Sequence, residues 1–467
     1  MYRSAHCRVW CFFLLFCLFQ GGGKAAEGSE KEVAAREKTS GLRLSVFDID
    51  ATPPVGSMLA YDRMENRWDL GLRAKGIVIS GAGKPVVLCA VDWIGIANDS
   101  QDVFKEALAE AANTTPGRVV VHTIHQHDAP ICDFGAEKIL MDAGMETYSF
   151  DGRFARNLLK ELKVAVQNSL AKAQPVTHVG VGEAPVRQVA SNRRILNEQG
   201  KAGTMRGSST RDPYLLAQPE GLIDSIVTVI SFWNQQEPLA VMSYYAVHPQ
   251  SYYLTKVANP DFPGLARFYR QLEVPDALHI HFNGAGGNIA AGKYNNGSHV
   301  NREILARRLA GGMKQAWESA EKFPIAPAGL SWDVVPVQLP PAKDSLAAIE
   351  KRIRTMNPRQ LTNNMGKLAW WKRQQAGKKT DIACLGLGHI RILFMPGELF
   401  VEYQLAAKAM RPDLTVAMAA YGDYGPFYIG TKEAYRQGGY EIKASPVTAD
   451  VENILLSAIE KLLKTKN

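Results

Sequence analysis

The chain has 467 residues, 46% of them hydrophobic and 21% charged, with a formal net charge of +8. This is a globular composition, long enough for one large domain or two to three ordinary ones, with nothing of low complexity and no visible repeat period. Lys and Arg are scattered rather than clustered, which argues against nucleic-acid binding while allowing attraction to an anionic membrane surface.

The chain opens on Arg3 and Arg8, the apolar run Val9 to Phe19, and small residues through Ala26. A basic segment, a short apolar segment and a small-residue zone in that order predict a signal peptide over 1–26 and export to a periplasm or the exterior. Residues 27–40 read as a charged, loose leader. Without Arg3, Arg8 and Lys24 the charge falls to about +5. No later stretch has the roughly 18 consecutive apolar residues of a spanning helix, so the mature chain is expected to be soluble. Outside the signal only Cys89, Cys132 and Cys384 remain, too few for a disulfide scaffold, though one pair has room to bridge.

The elements then follow in order. Residues 42–49 predict a strand, and 72–80 with 85–91 a hairpin, the second strand ending in Asp92-Trp93. Residues 102–112 predict a helix, broken by Asn113-Thr114-Thr115-Pro116-Gly117. The run Val119-Val120-Val121-His122-Thr123-Ile124-His125-Gln126-His127-Asp128-Ala129-Pro130 is the most informative in the chain. A buried strand over it puts His125 and His127 on one face and His122 on the other. Residues 154–173 form an amphipathic helix with Leu158, Leu162 and Val166 on one stripe. A strand at 176–181 leads to a polar excursion from Ser191 to about Leu222, long enough to be functional. Two adjacent strands are expected at 223–233 and 239–247, a helix at 263–272 and a strand at 278–282. The last breaks into Asn283-Gly284-Ala285-Gly286-Gly287-Asn288, which lacks a P-loop lysine and the Rossmann spacing. Helices at 302–322 and 343–375 (interrupted at Pro358), a strand at 390–394, a helix at 399–410, a strand at 414–420 and a closing helix at 449–463 complete the chain. Alternating strands and helices without a linker predict a single mixed α/β domain over 41–467.

Polar residues recur where these strands end: His125, His127, His248, Asn288, Glu398 and Tyr428. Strand ends in α/β folds share one mouth. Two or three histidines with a carboxylate are a common catalytic zinc set. The competing readings are a satisfied core histidine for His248, a helix cap for Glu398 and plain packing for Tyr428.

The sequence resembles the neutral/alkaline non-lysosomal ceramidase family over most of the mature chain. Ile124 to Pro130 is similar to that family's Thr-His-Thr-His-Ser-Gly-Pro motif. Asn192-Arg193 is similar to its Asn-Arg pair, and Ala246-Val247-His248-Pro249 to its second histidine motif. Asp261-Phe262-Pro263-Gly264, Pro396-Gly397-Glu398 and the segment Tyr424 to Tyr435 follow in the family's order. The resemblance implies a zinc held by His125, His248, Glu398 and Tyr428, with His127 and Arg193 beside it as proton carrier and oxyanion partner. One extra residue between the two tyrosines of the last segment keeps Tyr424 open as the ligand. It also implies cleavage of an N-acyl amide by metal-activated water.

Three departures stand out. Ala290 takes the place of a functional serine of the family, which leaves Asn283 and Asn288 to supply polar contacts in the pocket. Asp128 replaces the serine after the second histidine, where a carboxylate can orient an imidazole or meet substrate. The chain is also expected to lack the family's C-terminal immunoglobulin-like domain. The expectation is an exported zinc-dependent amidohydrolase taking a small-molecule or lipid-like substrate, whether ceramide-like, a glycan amide or a cell-wall amide or ester. A non-catalytic protein using an inherited metal pocket is the alternative.

Overall fold

Three copies of one topological unit build the fold. The computed structural model describes residues 41–464; the expected signal and leader lie outside the described residues. In the first unit, β1 (Arg43–Asp50), β2 (Arg73–Ser80) and β3 (Val86–Val91) form an antiparallel run. Helix α1 (Asp99–Ala111) then crosses over to β4 (Val119–Thr123), which lies parallel to β3. After helix α2 (Arg153–Leu170), the second unit repeats this with β5 (His178–Pro185), β6 (Ile226–Asn234), β7 (Glu237–Tyr245), α3 (Asp261–Glu273) and β8 (Leu278–Asn283), β8 parallel to β7. Helix α4 (Val300–Glu318) follows. The third unit has β9 (Leu330–Val337), α5 (Pro358–Gln375), β10 (Thr380–Leu387), β11 (Ile390–Phe394), α6 (Val401–Met410) and β12 (Thr415–Ala419), β12 parallel to β11. Helix α7 (Val451–Lys464) closes the chain.

The two-residue period of the strands explains how the sheets assemble. Along β3, Val86, Leu88 and Ala90 point into a central core that also holds Met242, Phe282, Leu385, Ile392 and Ala417 from the other two sheets. Val87, Cys89 and Val91 point the opposite way, against Phe104 and Leu108 of α1 and Leu158 and Leu162 of α2. The second sheet is covered in the same manner by α3 and α4, and the third by α5, α6 and α7. Strands buried on both faces read as continuous apolar runs, as β3 does throughout its length.

The mixed α/β class and most elements agree with expectation. Strands β9 and β10 are additions to it. The helix expected at 302–322 ends at Glu318, and residues 321–324 pair with β5 as an edge strand. Cys89, Cys132 and Cys384 are all free and buried. Among the described residues no helix is long and apolar enough to cross a membrane.

Candidate metal centre

The C-terminal ends of the parallel strand pairs converge, and each unit delivers side chains there. β4 leads to His125 and His127, β7 to His248, β11 to Glu398 and β12 to Tyr421 and Tyr424. β4 stops at Thr123, so strand alternation does not aim the two histidines, contrary to expectation. His125 instead turns into the left-handed region at φ 64. Its amide is held by the Trp93 carbonyl (3.0 Å). Such a conformation in a non-glycine residue persists only where surrounding bonds hold it, and it recurs at functional sites. His122 does face away, bonding the Ala420 carbonyl at 2.8 Å between Phe282 and Phe394.

The glycine loop after β8 serves close approach of backbone segments. A Cβ at Gly287 would lie 2.2 Å from the Glu398 carbonyl oxygen. Its amide donates to the Leu399 carbonyl, and the His248 amide to that of Ile289. Bare backbone here lets the Glu398 and His248 segments meet.

The imidazole Nδ1 of His125 contacts the Ile94 carbonyl at 2.7 Å. A carbonyl only accepts, so Nδ1 carries the proton and Nε2 presents its lone pair inward. That Nε2 lies 3.4 Å from Glu398 Oε2, which is also 3.8 Å from His248 Nδ1. Nε2 of His127 lies 2.9 Å from Nε2 of His248. One ligating nitrogen from each of the three histidines falls within 4.8 Å of the others, a spacing that can hold a metal ion. Glu398 Oε2, His248 Nδ1, His127 Nδ1 and the Tyr421 hydroxyl are buried without hydrogen-bond partners. Buried polar atoms are rarely left bare. Such nitrogen and oxygen donors, left bare on residues that meet at this centre, fit a zinc-type ion. Glu398 is therefore no helix cap: α6 is capped by Asn288, whose Oδ1 accepts from the Val401 amide at 2.9 Å.

Burial, with the neighbouring His125 and Arg193, holds the imidazoles of His127 and His248 well below their ordinary pKa. Both are thus neutral and metal-ready at neutral pH. The Tyr424 hydroxyl donates to Glu398 Oε1 at 3.1 Å. Tyr428 is the direct parallel-strand partner of Glu398, and the Arg193 guanidinium lies 5.4 Å from the centre of its ring. Arg193 is anchored by buried Glu441 at 3.1 Å, which Arg194 shares at 3.0 Å.

Two of the residues expected in the pocket turn their side chains to the scaffold. Besides capping α6, Asn288 donates to Glu402 at 2.9 Å. Asp128 accepts from Leu254, Thr255 and Asn259 and so organises the loop at 254–259 rather than a histidine. Asn283 is fully buried, with both polar atoms of its amide unpartnered. Ala290 is buried in a short pairing with Ser191. Other residues at the site carry no motif. Tyr421 stacks on His125 at 4.6 Å between ring centres, and Tyr61 stacks on His127 at 5.4 Å, with Tyr253 edge-on to both Tyr61 and His127. Only Tyr421 had a sequence signal, its place immediately after a strand.

Fold and site together define a three-sheet α/β domain with a buried histidine–carboxylate centre at its strand ends. Among solved structures it is similar to the neutral ceramidase from Pseudomonas aeruginosa, with a TM-score of 0.65 and 17% identity over 91% of this chain and 74% of that one. A ceramidase complexed with C2 gives 0.64 and 16%, over 91% and 75%. No family model matches the sequence, and no curated protein is detectably similar to it. The chain thus has a neutral ceramidase-like fold.

Proposed function

We propose that this protein is a zinc-dependent hydrolase that cleaves an N-acyl amide to a carboxylic acid and an amine. The observation that carries this reading is the meeting of His125, His127, His248 and the unpartnered Oε2 of Glu398 at one buried point. Its setting in a neutral ceramidase-like fold supports the reaction class.

His125, His248, Glu398 and Tyr428 would hold the ion, with Tyr424 bracing Glu398. A bound zinc polarises a carbonyl and brings the pKa of its water to about 7. His127, stacked on Tyr61 and neutral at working pH, takes the proton of the attacking water and returns it to the departing nitrogen as the C–N bond breaks. The fixed cation of Arg193 meets the negative charge that develops on the carbonyl oxygen. The exposed rings of Tyr61, Tyr253 and Tyr440 at the mouth suit a small-molecule or lipid-like substrate. The basic and apolar N-terminal run of the sequence supports export.

The test is metal content by elemental mass spectrometry, with decanoate release from N-decanoyl amides. Near one zinc per chain, lost in His125→Ala, with zinc-dependent release, is the expected result. Zinc bound without turnover of any amide or ester points to a ligand-binding protein. No zinc taken up would sink the hydrolase reading.

A further inference from the structure

Lys367 is a cation out of place beside this centre. It lies on α5, partly buried, with its ammonium 5.5 Å from the centre of the Phe427 ring. Phe427 packs on Tyr424 at 4.8 Å between ring centres, and its carbonyl accepts the Glu398 amide at 2.8 Å. Lys367 is thus linked to the centre through Phe427 and Tyr424, and Glu398 is the carboxylate whose field it feels. Yet among the described residues it has neither an ion-pair nor a hydrogen-bond partner. Other inward-facing cations do: Arg193 has Glu441, Arg267 has Asp92, and Arg373 has Asp99 and Asp102. Burial draws the Lys367 pKa down to about 8. A partly desolvated ammonium is costly until an anion meets it. Phe427 and Lys367 are both partly exposed, so an incoming anion can reach the ammonium.

We propose that Lys367 is a specificity residue that binds an anionic group on the substrate, so that N-acyl amides carrying an acid on the amine side are preferred over neutral ones. This rests on the amide-hydrolase reading, and it departs from an uncharged ceramide as substrate. The ammonium serves carboxylate and phosphate alike, and the substrates of the test separate the two.

The experiment uses the full mature chain with N-decanoylglycine, its neutral isostere N-decanoylglycinamide and N-decanoyl-O-phosphoethanolamine. Decanoate release gives kcat and KM, and calorimetry gives binding independently of turnover. The expected result is a preference of about tenfold or more for an anionic member, carried by KM and by binding. In Lys367→Met and Lys367→Gln that ratio falls towards one, while Lys367→Arg keeps much of it. Circular dichroism confirms folding, and the Arg variant keeps the test decisive if the others do not fold. Equal handling of charged and neutral amides by the wild type, or a ratio unchanged in Lys367→Met, overturns the proposal. Anion-dependent binding lost in Lys367→Met without cleavage of any amide leaves the anion site standing and removes the hydrolase reading. Cleavage without discrimination does the reverse.

Discussion

Glu398 Oε2 lies 3.4 Å from His125 Nε2, in a site where both side chains are almost fully buried and the oxygen has no hydrogen-bond partner. A buried carboxylate in that position costs stability until a cation joins it. Zinc should therefore raise the melting temperature of metal-stripped protein by a few degrees, because binding to the folded state alone adds about 2.7 kcal/mol at a hundredfold excess over Kd. Glu398→Gln should abolish most of that rise and release the ion on dialysis. A full thermal shift retained in the variant would remove Glu398 from the ligand set.

Two tyrosines compete for the remaining ligand place, and two substitutions separate them. Tyr424→Phe takes away the 3.1 Å hydrogen bond to Glu398 Oε1. Loss of such a ligand-orienting partner weakens metal binding about 10–100-fold. Tyr428→Phe should weaken it further, measured by competition with a chromophoric chelator. The opposite order would make Tyr424 the ligand.

Much of this centre was legible because its residues sit at strand ends flanked by apolar runs. His125, His248 and Glu398 each follow such a run, and a polar residue there is informative. What was not legible is instructive. The threefold repetition of three antiparallel strands, a helix and a parallel strand leaves no period in the sequence, because β-sheet packing asks only for alternating apolar residues of about the right size. β9 carries Pro336 and few fully buried residues, so its pattern is that of a weak edge. The positive φ of His125 depends on carbonyls of Trp93 and Ile94 that are remote in sequence. Asp128 looked like a partner for a histidine because it is adjacent to one, whereas its oxygens meet a loop about 126 residues further on.

The buried histidines make acid the weak side of this fold. His122 is held down to about 4 by burial, against partial relief from the Ala420 carbonyl. The unfolded chain takes up that proton near pH 6.5, so between about 6.5 and 4 it binds more protons than the native state. Stability is complete above that window and falls as pH drops through it. His281, held to about 3, acts in the same direction. Urea unfolding at pH 7, 6 and 5 should show this decline, and His122→Gln should make it shallower by up to about 1.4 kcal/mol per pH unit. An unchanged slope would mean that His122 is already charged in the native state.

The support of the site reaches across two units through Asp92 and Arg267. Asp92 closes β3, and its oxygens take both Arg267 guanidinium nitrogens of α3 at 2.7 and 2.6 Å, with both side chains buried. Asp92 also receives the Arg73 amide at 2.9 Å and, through its carbonyl, the Gln126 side chain. The next residues, Trp93 and Ile94, are the ones whose carbonyls hold His125. Asp92→Ala leaves a buried guanidinium without its anion, which costs about 3–5 kcal/mol. It should also loosen His125, so that zinc affinity falls together with melting temperature. The double variant Asp92→Ala with Arg267→Met removes the stranded charge and should recover much of the stability. Zinc affinity should recover less, because the Arg73 amide bonds the Asp92 carboxylate and stays without it in both variants, whereas the Gln126 bond to the Asp92 carbonyl survives in each. Equal recovery of both properties would show that the ion pair acts on the fold alone and that His125 is placed independently of it.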